Sequence, residues 1–368
     1  MKIIYIHHSK NLGGAPKSLA YLVDGLKKMT KYNITIYAPK KGPGTDFISK
    51  YNHDIRFDRR IIPFHNSTVS STNLRKKLKG IYGIFVAPFF IYSIKKENPE
   101  IIHLNSSCLV FYSIFIKLLM KNTKVVCHLR EPLLDNFLSK LFIYCLRNFV
   151  DSVIAISQNE IPKQLSATVS VINNPIYPLL NKPSNDYSKN KHSKKITFVY
   201  MARCNYENGV FDFIDLAKIS NDNGIEAEFL IVGAHKNDDP KVMESSSNLS
   251  NLKIVNMSDN IDEFISIASC LIVPFKVPHF SRTLIEFGLS GVPAIVYDIN
   301  PLNKIIRTNF NGYVCNPDLY SLNIMTERIV KNKYMLNKIS ENVYGDFSAR
   351  YNTNKTVESV ISIYGNLI

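Results

Sequence analysis

The residues best suited to chemistry lie in PHFSRTLIEFGLSGVPAIVYD, residues 278–298. Glu286 falls one turn into a predicted helix among apolar neighbours, and a carboxylate placed there needs a partner. Ser281 reads as the N-cap, so the helix start gathers free backbone N–H groups and positive dipole charge, a setting that suits a phosphate. Arg282 and Thr283 fall in the same first turn. A carboxylate slightly deeper can accept hydrogen bonds from sugar hydroxyls, as acidic residues do with ribose in nucleotide-binding α/β folds. The competing reading is a core helix in which Glu286 only pairs with Arg282, four residues earlier.

Such residues need a scaffold, and the pattern of apolar runs supplies one. Lys2–Ile6 reads as a strand, His7–Pro16 as a loop holding Gly13-Gly14, Lys17–Met29 as a helix with Leu19, Leu22, Val23 and Leu26 on one face, and Asn33–Ala38 as the next strand. Further strands are expected at 101–104, 124–129 and 152–156, with helical stretches between them. Residues 175–195 change to Pro, Asn, Ser and Lys and read as a linker. A second alternating series follows: strands at 196–201, 227–232, 252–255 and 270–274, and helices at 210–221 and 261–268. Short apolar strands alternating with helices indicate parallel sheets covered on both faces, hence two doubly wound domains facing a central cleft. We divide them as residues 1–180 and 181–349, with a helix at about 350–368, carrying Val357, Val360, Ile361 and Tyr364 on one face, free to pack on either.

At 368 residues the chain is long for one core. Six scattered cysteines without a C-x-x-C pair suit reduced, buried thiols and argue against a zinc site. The first residues hold too short an apolar run for a signal peptide, so the expected location is the cytoplasm. The net charge of +15 is uneven: residues 1–180 hold 25 Lys and Arg against 10 Asp and Glu, and residues 181–368 hold 20 against 20. A basic half suits nucleic acid, an anionic membrane surface or anionic small molecules, but no RRM, KH or zinc-finger signature accompanies it, which argues against nucleic acid.

The chain resembles the family 4 retaining glycosyltransferases, also called glycosyl transferases group 1. The residues that carry the resemblance are Gly13-Gly14, Phe198–Arg203 followed by Asn208-Gly209, FLIVG at 229–233, FSRTLIEFGLSGVPAIVYD, and weaker points at 151–157, 171–175 and 311–314. The resemblance implies a GT-B fold of two Rossmann-like domains, the second holding a nucleotide-sugar donor and the first an acceptor. It implies no essential metal and no cofactor, so protein groups must neutralise the departing diphosphate. Arg203 matches the family's diphosphate-contacting arginine, whose planar fork can bind bidentately. Where the family then has lysine before glycine, this chain has Asn208, a donor without charge. Glu286 matches the second of the family's two glutamates, expected on the ribose, while Pro278, with His279 beside it, stands where the first would read the sugar. His128, in VVCHLRE beside Arg130 and Glu131, falls where members place an active-site histidine, the alternative being a hydrogen-bonded structural histidine. Gly13 and Gly14 can bring backbone N–H groups to a phosphate or acceptor, though a Gly-Gly pair alone is usually a turn. The implied reaction moves a sugar to a hydroxyl of a lipid-linked or surface-polysaccharide acceptor. A non-catalytic nucleotide-sugar or glycan-binding subunit on the same fold is the alternative that Pro278 and Asn208 leave open.

Arg75-Lys76-Lys77-Leu78-Lys79 leads into the apolar run 81–94, interrupted by Pro88, then Lys95-Lys96. Its length reads as too short to span a bilayer. Two readings stand: an interfacial segment on an anionic membrane from Arg75 to Lys96, or a core helix with basic ends in solvent.

Overall fold

The computed structural model describes residues 1–51, 53–67, 74–177, 195–234, 240–246, 249–256, 258 and 260–368. The expected linker lies, from 178 to 194, outside the described residues. The chain divides into two compact units, residues 1–176 with 352–368, and residues 177–351.

The first unit is a seven-stranded parallel sheet built from β1 (Lys2–Ile6), β2 (Asn33–Ala38), β3 (Asp54–Phe57), β4 (Ile101–Leu104), β5 (Lys124–Leu129), β6 (Ser152–Ala155) and β7 (Val169–Val171). The order is β3-β2-β1-β4-β5-β6-β7, so the direction of winding reverses between β1 and β4. The strands read as apolar runs because both faces are covered. On one face the outward rows Ile4, Ile6, Ile102, Leu104, Val125, Cys127 and Leu129 meet α3 (Leu74–Lys95), α4 (Tyr112–Leu119) and α5 (Phe137–Asn148) through Phe90, Ile91, Tyr112, Ile116 and Phe142. Before them in the chain come α1 (Gly14–Met29) and α2 (Pro43–Ser49). As the spacing predicts, α1 buries Leu19, Leu22, Val23 and Leu26.

The second unit is a six-stranded parallel sheet of β8 (Ile196–Met201), β9 (Ala227–Ala234), β10 (Leu252–Asn256), β11 (Cys270–Val273), β12 (Ala294–Tyr297) and β13 (Gly312–Cys315). Its order, β10-β9-β8-β11-β12-β13, reverses between β8 and β11. Its helices are α6 (Val210–Asp222), α7 (Pro240–Ser246), α8 (Asp262–Ile267), α9 (Arg282–Leu289), α10 (Leu302–Ile305), α11 (Leu319–Lys331) and α12 (Met335–Arg350). The last helix, α13 (Thr353–Leu367), belongs to the first unit. It lies so close to α1 that a Cβ on Gly25 would stand 2.5 Å from Val357 Cγ2. Its Tyr364 bonds the hydroxyl of Tyr5 and His103 Nδ1 on the sheet face opposite α3.

One expectation is corrected outright. The apolar segment after Arg75 is neither interrupted at Pro88 nor too short: α3 runs through the proline, 22 residues in all, and is, by length and composition, long enough to cross a membrane. Counting only the apolar run understated it, because the basic first turn is helical too. Of an 18-residue window within it, 33% is buried. The six cysteines are all buried, as expected.

Candidate functional site

In open parallel sheets, ligands bind beyond the carboxyl ends of the strands where the winding reverses. In the second unit that point lies between β8 and β11, and the candidate residues gather there. Ser281 caps α9, its hydroxyl accepting the Leu284 N–H at 3.2 Å. Thr283 Oγ1 donates to the carbonyl of Met201, the last residue of β8, at 3.1 Å, which anchors the first turn of α9 at the strand end. The bond sets the start of α9 beside the segment that carries Arg203.

Arg203 is exposed, and its guanidinium has no hydrogen-bond or ion-pair partner among the described residues. Its backbone is held firmly instead: the carbonyl accepts from Tyr200 OH at 2.8 Å and from Asn208 Nδ2 at 3.0 Å. Asn208 is buried, and Asn205 Oδ1 accepts its backbone N–H. The asparagine thus braces the loop behind Arg203, with at least one amide hydrogen committed to it, a task sequence reasoning did not assign. The loop closes at Gly209, whose φ is 71°. A Cβ there would stand 2.0 Å from the Pro274 carbonyl oxygen, so the position requires glycine on both counts.

Glu286 is buried, with Oε1 accepting from Arg282 Nε at 2.7 Å. The pair that the plain core-helix reading foresees does form. Burial distinguishes it from an exposed pair at that spacing, since a buried carboxylate needs its partner. His279 stacks face to face on Phe275, centroids 4.0 Å apart, and its Nδ1–H donates to the Val277 carbonyl at 3.2 Å. Burial, and then the nearby Arg203 charge, hold His279 below the usual histidine range, which keeps it neutral beside the arginine.

Sequence reasoning passed over a third group at this end of the sheet. Lys276, just past β11, places Nζ 2.7 Å from Asp212 Oδ1, and the Tyr297 hydroxyl donates to Asp212 Oδ2 at 2.6 Å. Its backbone N–H donates to Glu207 O at 2.8 Å, joining the β11 segment to the loop holding Asn208. The only signal was a lone lysine in PFKVPHF.

In the first unit the reversal lies between β1 and β4, and a polar cluster occupies the strand ends. Arg130, past β5, donates to the Asn105 carbonyl at 2.9 Å, to Asn105 Oδ1 at 2.7 Å and to Asn174 Oδ1 at 2.5 Å. Asn105 Nδ2 donates to His7 Nδ1 at 2.9 Å, so His7 carries its proton on Nε2. His128 is 2% exposed, 5.5 Å from His103 ring to ring, and neither of its nitrogens has a hydrogen-bond partner among the described residues. Burial first, then Arg130, pushes His7 and His103 down to about 3 and His128 well below the usual range, and burial with the neighbouring His7 does the same to His8. These are neutral imidazoles, able to donate one hydrogen bond and accept another. Ser67 donates to Glu131 at the edge of the cluster. Gly13, by contrast, caps α1 in an extended conformation open to any residue, and a Cβ there would meet nothing within 4 Å. Gly14 is the first residue of that helix. The pair has no steric need for glycine at its first position. Among the described residues, no three His, Cys, Asp or Glu side chains cluster as a metal site.

The structure thus brings Arg203, Asn208, Ser281, Arg282, Thr283 and Glu286 to one end of one sheet, and His128 with His7, His103 and Arg130 to the strand ends of the other. Comparison with known proteins bears on both. Residues 181–346 match the family model described as glycosyl transferases group 1. No curated protein matches the chain in sequence. Among solved structures, HepE of Anabaena in complex with UDP superposes with a TM-score of 0.78 at 15% identity, covering 100% of both chains. A glycosyltransferase from Rickettsia africae gives 0.76 at 18% identity, covering 100% of this chain and 98% of that one. Sucrose-phosphate synthase of Thermosynechococcus elongatus gives 0.74 at 15% identity, with 100% and 98% covered. At these identities the likeness establishes a shared fold.

Proposed function

We propose that this chain, whose residues 181–346 match the family model described as glycosyl transferases group 1 and whose fold is GT-B, transfers a sugar from a nucleotide-sugar donor to a hydroxyl of a lipid-linked or surface-polysaccharide acceptor, with retention at the anomeric carbon. The observation that carries this reading is the end of β8: an exposed, unpaired arginine on a braced backbone, beside the capped start of α9. Fixed cationic and N–H donors of that kind stabilise a leaving diphosphate without reorganising as charge develops. HepE has been solved with UDP and with UDP-glucose, which makes a uridine donor the first to test.

In this reading Arg203 and the first N–H groups of α9 hold the diphosphate, and the reaction needs neither metal nor cofactor. Ser281 keeps its hydroxyl proton free to donate, because its oxygen accepts from Leu284. Glu286 takes the ribose hydroxyls through the carboxylate capacity left after Arg282 is satisfied. Arg282 fixes that carboxylate more than it meets phosphate. His128, neutral and unpartnered, orients sugar or acceptor hydroxyls, and the protein acts in the cytoplasm. Pro278 leaves the donor sugar to be read by other groups.

Incubation with UDP-, GDP-, ADP- and CMP-sugars tests this, following nucleotide release and the anomer formed by NMR on an added acceptor. Release of one nucleotide with a retained anomeric product is expected. Nucleotide binding without release or transfer would make the chain a binding subunit and overturn the catalytic reading.

A further inference from the structure

The outer side of α3 has no part in the fold of its unit. Its inner side is built for packing: Cβ atoms on Gly80 and Gly83 would meet Phe64 at 2.4 Å and Ile62 at 2.9 Å, and Phe90, Ile91 and Ile94 are buried on the sheet. Its outer side carries Leu78, Ile81, Tyr82, Phe85, Phe89 and Tyr92, between 44% and 71% exposed. At 3.6 residues per turn these six fall within about 100° of arc, a single stripe about 20 Å long. Neighbouring helices of the same layer extend it with Leu118 of α4 and Phe137 and Tyr144 of α5, each more than half exposed. Aromatic rings dominate, and an exposed apolar stripe of this kind marks an interaction face.

Charge selects the partner. None of α3, α4 and α5 contains an acidic residue, while Arg75, Lys76, Lys77, Lys79, Lys95, Lys117, Lys140 and Arg147 lie on or among them. Lys117 is taken up by Asp151, and the other basic residues leave Phe and Tyr in a net basic field that complements an anionic interface with a hydrocarbon layer beneath it. The helix is long enough to cross, but crossing would strip Phe90, Ile91 and Ile94 from the sheet. We infer that the first unit docks peripherally on anionic lipid bilayers through the outer face of α3, α4 and α5, with the α3 aromatics in the headgroup region and α3 lying parallel to the surface. This docking does not depend on glycosyl transfer and is tested without it.

The chain contains no tryptophan, so Phe85→Trp and Phe89→Trp each give a single-tryptophan probe, read with excitation that spares the tyrosines. With the full-length protein and vesicles of phosphatidylcholine, alone or with one-third phosphatidylglycerol, blue-shifted emission is expected with the anionic vesicles only. Co-sedimentation should fall at least about tenfold for F85S/F89S/Y92S, whose side chains are exposed, and about tenfold for K76E/K77E. Circular dichroism checks that each variant is folded. Failure of the wild type to bind, unchanged binding by either multiple variant, or equal binding to neutral vesicles overturns the inference. So does a dimer that F85S/F89S/Y92S converts to monomer in a protein that ignores vesicles, since the face then belongs to a second copy of the chain.

Discussion

Glu286 and Arg282 show how burial changes the worth of a residue pair. On an exposed helix the four-residue spacing is worth about 0.3–0.5 kcal/mol. Here the side chains are only 6% and 13% exposed, and removing one partner strands a buried charge. Arg282→Ala is expected to destabilise the second unit by about 3 kcal/mol, read as a lowered melting temperature, whereas Arg203→Ala is expected to leave stability unchanged because that side chain has no partner among the described residues. In the first unit the neutral histidines set a pH dependence. His7 and His103 have folded-state values of about 3, below the ordinary 6.5, so the unfolded chain binds more protons between those limits. Stability is therefore full above about pH 6.5 and declines as pH falls, by up to about 1.4 kcal/mol per pH unit for each. Calorimetry from pH 7 to 5 should show the decline, with a shallower slope in His103→Gln. The sequence marks His128 and leaves His7 and His103 as incidental, because only the register of β1, β4 and β5 stacks Tyr5 on His103 and sets His128 beside it.

At the scale of elements, the second unit's site depends on two close approaches. Gly209 admits the loop against Pro274, and Gly288 admits α12 against α9, where a Cβ would stand 2.2 Å from Phe347. Gly209→Ala is expected to cost about 2 kcal/mol or more, combining a strained φ with a backbone clash, and to weaken nucleotide binding as the Arg203 backbone shifts. Urea unfolding beside nucleotide titration would show both effects. The doubly wound pattern was readable because central strands are apolar throughout and helices have one apolar face. Short edge elements such as β3 and β7 were not, since their residues are mostly exposed or half-buried and three or four residues give no period. Pro88 misled in another way: the anchoring of α3 to the sheet by its inner face outweighs one missing backbone hydrogen bond.

For the whole molecule, division of tasks follows charge. The surplus of basic residues belongs to the half that holds the apolar α3–α5 face, and the balanced half holds the arginine and helix start suited to a diphosphate. The likeness of residues 181–346 to glycosyl transferases group 1 was legible from the arginine, glutamate, glycine and proline pattern. The donor sugar was not, because Pro278 replaces the acid that would read it. The central claim is that Arg203, on its braced loop, holds the diphosphate of the donor. Calorimetric titration of UDP into the wild type and Arg203→Ala, two proteins expected to melt alike without ligand, tests it most directly. The account predicts at least about tenfold weaker binding in the variant, the share of a charge-assisted bidentate contact. Equal affinity in the two proteins would contradict it.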